Sequence, residues 1–148
     1  MPTEKQTTLF FFTDKHGRSL SGLSKENNAL DDIFAHYTSV VSYKSRVDFQ
    51  DKDFNAEFAA NGANASIFHI GAHGNSHEIF SSYDNDYESL LTANRFFEYL
   101  EPCKNLKLVF LNACKSNDIA AKLKEKLSIP LIIGTTDDID DDFCSKSV

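Results

Sequence analysis

Ser66-Ile67-Phe68-His69-Ile70-Gly71 (SIFHIG) is apolar at nearly every position instead of at alternate ones. A strand with one face in water alternates apolar and polar residues, whereas a strand buried on both faces reads as an unbroken apolar run. This segment is therefore expected as an inner strand of a parallel sheet. Similar runs lie on either side of it, at residues 8–13 (TLFFFT), 106–111 (LKLVFL) and 130–135 (PLIIGT), and residues 40–49 read as a further strand. Helical patterns separate them. Ser24 is placed to cap a helix over 25–36, with Leu30, Ile33 and Phe34 on one face. Residues 51–60 carry Phe54 and Phe58 four apart, and Asn61-Gly62 ends that helix. Thr92 caps a helix running to about residue 100, and Asn117 opens one with Ile119, Leu123 and Leu127 on a single stripe. Residues 72–90 lack a helical period and read as a loop or small hairpin. Strand alternating with helix predicts an α/β fold, a parallel sheet covered on both faces.

The chain has 148 residues, the size of one compact domain spanning 1–148, with no repeat and no interdomain linker. Hydrophobic residues make up 41% and charged residues 25%, as in ordinary soluble proteins, and the thirteen Phe are expected mostly in the core. A net charge of −7 leaves no basic surface to grip phosphates, which argues against nucleic acid as a main partner. No apolar stretch approaches the roughly 20 residues of a membrane helix, and the first residues lack the apolar core of a secretory signal. A cytosolic address without membrane association is expected. Three cysteines, Cys103, Cys114 and Cys144, do not form a disulfide framework.

In open parallel sheets, ligands bind beyond the carboxyl ends of the strands. His73 follows the third strand in Gly71-Ala72-His73-Gly74, and Cys114 follows the fourth in Leu111-Asn112-Ala113-Cys114. Neighbouring strands run about 4.8 Å apart, so adjacency of these two would bring both side chains into one small volume. Gly74, lacking Cβ, lets the backbone approach a substrate, and the N–H groups of Gly74 and Cys114 could together hold an oxyanion. The helix expected near Asn117 and the adjacent Lys115 favour thiolate at Cys114, with His73 as general base or acid. The plainer alternative is an inert packed thiol and a solvated histidine. Their matched placement at two strand ends argues for the pair.

With these residues in view, the chain resembles the CHAT domains, bacterial relatives of caspases and separases. Residues 67–74 (IFHIGAHG) are similar to that family's His-Gly motif, and residues 108–116 (LVFLNACKS) to its Cys motif. Residues 20–30 (LSGLSKENNAL) resemble the lead into the first helix, and residues 132–143 (IIGTTDDIDDDF) the strand and acidic turn after the catalytic Cys. The resemblance implies a caspase-like three-layer sandwich with a mostly parallel central sheet flanked by helices. It also implies cleavage of peptide bonds by a Cys-His dyad, with His73 and Cys114 carried over directly. Members are often effectors in programmed cell death or anti-phage defence, held silent until a sensor protein activates them. They generally continue past the acidic turn with another helix and strand. Because the sequence stops at Val148, a fold shortened at its C-terminal end is expected.

Other residues invite competing readings. His69, His73 and His77 are spaced four apart, as zinc ligands on a helix would be, but Gly71 and Gly74 make a helix there improbable. His69 is expected to pack within the sheet layers, hydrogen-bonded to a neighbour. Asp137 and Asp138 head an acidic run that could select Lys or Arg in a substrate or bind calcium; carboxylates also collect simply at helix N-termini. Asn112 is the other substrate-binding candidate. It stands where some basic-specific relatives carry Asp, which weakens a Lys/Arg preference. Cys103 and Cys144 read as structural, and Phe80, Tyr83 and Tyr87 as a groove wall or a sheet cap. No cofactor and no metal is expected. The leading expectation is an endopeptidase acting on a specific protein substrate. A non-catalytic caspase-like scaffold competes with it, and a zinc hydrolase ranks third.

Overall fold

A computed structural model of the chain describes residues 6–12, 21–37, 41–47, 51–72, 74–80 and 90–136. The elements run β1 (Gln6–Phe12), α1 (Ser21–Ala35), β2 (Val41–Val47) and α2 (Asp51–Asn61), which tightens into a 3-10 turn over Gly62–Asn64. There follow β3 (Ala65–Gly71), β4 (Glu78–Phe80), β5 (Leu90–Thr92), α3 (Ala93–Leu100), β6 (Leu108–Asn112), α4 (Asn117–Lys126) and β7 (Leu131–Ile133). Five strands form one sheet in the order β2-β1-β3-β6-β7, every neighbouring pair parallel, while β4 and β5 form a separate antiparallel pair. The SIFHIG run lies within β3, the central strand, as its continuous apolarity requires.

Strand order reverses once, between β1 and β3. Right-handed crossovers then put the helix after β1 on one face and the later helices on the other. Side-chain contacts agree. Phe34 of α1 stacks on Tyr43 of β2, with ring centroids 4.8 Å apart. Tyr43 is in register with Thr8, and Thr8 with Ile67, so these residues share the α1 face. On the opposite face Phe68 of β3 meets Phe54 and Phe58 of α2 and Phe96 of α3. The result is three layers: α1, the sheet, and a layer built from α2, α3 and α4.

The α2–α4 side holds the core. Phe54, Phe68 and Phe96 are fully buried, and Tyr99 and Phe58 complete a five-ring cluster with centroid separations from 5.3 to 6.4 Å. Edge-on and offset ring pairs of this kind add about 0.5–1.5 kcal/mol each beyond their area burial. Ile70, Val109, Leu111 and Ile132 continue the buried face across the sheet, met by Ile119, Ala120 and Leu123 of α4. Thr92 caps α3 as expected, its hydroxyl oxygen accepting the Arg95 N–H at 3.3 Å.

Two expectations need adjustment. α1 begins at Ser21, so Ser24 lies inside the helix and does not cap it. Ile33 is 52% exposed; of the three, Leu30 and Phe34, four apart, turn partly inward. Residues 131–133 of the expected PLIIGT strand form β7, which buries only Ile132, with Leu131 47% and Ile133 36% exposed. Its position explains this. β7 is an edge strand, covered by α4 on the Ile132 face, and among the described residues no helix follows it on the other. No helix among the described residues is long and apolar enough to cross a membrane.

Candidate active site

The third and fourth expected strands, β3 and β6, are neighbours, the condition on which the sequence argument for this site rests. The two strands are paired in parallel, with Ile70 opposite Leu111 and Gly71 opposite Asn112. Pairing extends one step further, since Ala72 N–H donates to the Asn112 carbonyl at 3.2 Å. His73 lies outside the described residues, as do Asp137, Asp138, Cys144, Tyr83, Tyr87 and the side chain of Phe80. The chain neighbours of His73 are both described. Gly74, on its far side, packs so closely against the Cys114 loop that a Cβ there would stand 3.0 Å from the Ala113 Cβ and 3.2 Å from the Glu78 carbonyl oxygen. A side chain there would need the Ala113 methyl or the Glu78 carbonyl to give way by a few tenths of an ångström.

Beyond Gly74 the chain turns sharply. The Asn75 side-chain oxygen accepts the N–H groups of His77 and Glu78, at 2.8 and 3.0 Å, the local closure that favours Asn in turns. Asn75 N–H donates to the Glu78 carbonyl, and Gly74 pairs with Ile79 in an isolated antiparallel bridge. β4 and β5 then form the small hairpin, anchored by Ile79 opposite Leu91, both fully buried.

Cys114 is half-buried, in the short link between β6 and α4. Lys115, which follows it, has φ 54°, the left-handed region that costs a side-chain-bearing residue about 1–2 kcal/mol. The chain uses this residue to leave the strand direction and enter α4 within a few residues. Ser116 occupies the N-cap position of α4 but makes no cap hydrogen bond. Its fully buried hydroxyl donates instead to the Leu111 carbonyl at 2.7 Å and accepts the Thr135 N–H at 3.1 Å. The Thr135 hydroxyl donates to the Ala113 carbonyl at 2.5 Å, and the Thr135 carbonyl accepts Asn117 N–H at 2.8 Å. The last bond satisfies one of the backbone donors that every helix N-terminus leaves open.

Asn112 is half-buried and, by strand alternation, shares the α1 face with Leu108 and Phe110. His69 packs in the sheet layer, its ring edge-on to Phe110 with centroids 4.9 Å apart. His77 is exposed. Among the described residues no group of three His, Cys, Asp or Glu side chains is gathered to hold a metal ion. Cys103 is structural: it is 5% exposed, its thiol donates to the Tyr99 carbonyl at 3.4 Å, and burial pushes its pKa up to about 11.

No family model matches the chain, and no curated protein matches it. The Ser116–Thr135 tie is the part of the site that sequence reasoning missed. Its signal was a hydroxyl residue a few positions after each of β6 and β7, strands whose adjacency only the topology reveals.

Proposed function

We propose that this chain is a cytosolic cysteine endopeptidase of caspase-like type, related to the CHAT domains, with Cys114 as nucleophile and His73 as its proton-transfer partner. The supporting observation is the pairing of β3 with β6, which brings Ala72 and Gly74, the neighbours of His73, against the loop that carries Cys114. In the reaction, the Cys114 thiolate adds to the scissile carbonyl carbon. The oxyanion that forms is held by the N–H groups of Gly74 and Cys114. Collapse breaks the C–N bond, and His73 gives a proton to the leaving amine. Water activated by His73 then hydrolyses the thioester, releasing the acid and restoring the thiol. Asn112 lies one strand position from Ala113 and, with Asp137 and Asp138, is the candidate for contacting the substrate side chain. The partners on this reading are a specific protein substrate and a protein that switches the enzyme on.

Incubating wild type and Cys114→Ala with a proteome-derived peptide library, followed by mass spectrometry of new N-termini, tests the reading. Cleavage by wild type alone is expected. Absence of wild-type cleavage, together with partner binding that Cys114→Ala leaves unchanged, contradicts it in favour of a scaffold.

A further inference from the structure

The Cys114 loop is held from outside by the segment that follows β7. From this we infer that Thr135, acting with Ser116, is a positioning residue for Cys114, an assignment that rests on the nucleophilic reading above. The bonds bracket the cysteine. Ala113, immediately before it, gives its carbonyl to the Thr135 hydroxyl at 2.5 Å. Ser116, two residues after it, takes the Thr135 N–H on its hydroxyl at 3.1 Å, and Asn117 N–H reaches the Thr135 carbonyl at 2.8 Å. One residue thus binds the loop on both sides of Cys114 with its N–H, its carbonyl and its side chain.

Two further features show that this arrangement is specified. Ser116 is a good helix-capping residue, yet its hydroxyl is turned away from that task to join Leu111 and Thr135. Gly134 presses the segment against the start of α4, where a Cβ would stand 2.8 Å from backbone atoms of Ser116 and Asn117. The left-handed Lys115 lies inside the bracketed loop, so its conformational cost is met by bonds on either side of it. A displacement of the nucleophile of about 1 Å costs up to about a hundredfold in rate, so bonds that fix the loop on both sides of Cys114 bear directly on its reactivity.

Rates of Cys114 alkylation by iodoacetamide across pH, in wild type, Thr135→Val, Thr135→Ser and Leu123→Ala, test the inference. Thr135→Val keeps the shape but removes the hydroxyl; Thr135→Ser keeps the hydroxyl; Leu123→Ala weakens α4 without touching the bracket. Near neutral pH Cys114 is expected to slow on the order of tenfold in Thr135→Val, because a shifted thiol loses the partner that holds it as thiolate, and to recover in Thr135→Ser. In Leu123→Ala it should remain fast, although the melting temperature falls at least as far. Equal rates in wild type and Thr135→Val, or equal slowing in Leu123→Ala, overturn the positioning role while leaving a reactive Cys114 intact. A wild-type Cys114 no faster than a simple exposed thiol overturns the nucleophile, and the positioning role with it.

Discussion

Cys103 and Cys114 show how environment sorts residues of one type. Cys103 is sealed under the end of α3, close enough to Gly62 that a Cβ there would stand 3.1 Å from its sulfur. Burial raises its thiol from the ordinary 9.0 to about 11. Its folded pKa lies above its unfolded one, so the contribution to stability is complete below about pH 9 and is lost as pH rises towards 11. Chemical denaturation at a series of pH values should therefore show stability falling across that interval, and falling less steeply in Cys103→Ala. A parallel decline in both proteins would remove Cys103 from the account. Cys114 is half-buried in a link that includes a left-handed Lys115. The place of Cys114 just past a strand was legible in the sequence. The φ of Lys115 was not, because nothing about a lysine announces that conformation.

At the scale of elements, legibility follows from how a signal is encoded. Inner strands were readable because burial on both faces leaves an unbroken apolar run, and SIFHIG and LKLVFL fall where they were expected. The cap at Thr92 was readable because the residue and its bonding partner lie on the same turn. The start of α1 was not, since Ser24 offered a plausible cap while the helix begins at Ser21. Nor was the bracket around Cys114: Ser116 and Thr135 are remote in sequence, and only the pairing of β6 with β7 makes them neighbours. The contact of Gly134 with α4 carries its own prediction. In Gly134→Ala the new methyl meets backbone, which cannot swing aside as a side chain can, so the β7–α4 junction must open. Thermal unfolding should show a loss of at least about 1–3 kcal/mol, the usual range for overpacking. A variant as stable as wild type would mean that the junction yields without cost.

Across the whole molecule, the strand order β2-β1-β3-β6-β7 explains why chemistry can gather at one end of the sheet. The reversal between β1 and β3 distributes the helices over two faces. The aromatic core, centred on Phe54, Phe68 and Phe96, lies beneath the β3–β6 pair and makes it a rigid base. Cys114 is set beside the chain around His73 on that base. The central claim, that these two residues form one reactive unit, is tested most directly by alkylating each cysteine across about pH 5 to 9, with mass-spectrometric readout, in wild type and in His73→Ala. The account predicts that Cys114 reacts far faster than Cys103 near neutral pH and that His73→Ala abolishes the advantage. Equal, slow reaction of Cys114 in both proteins would contradict it.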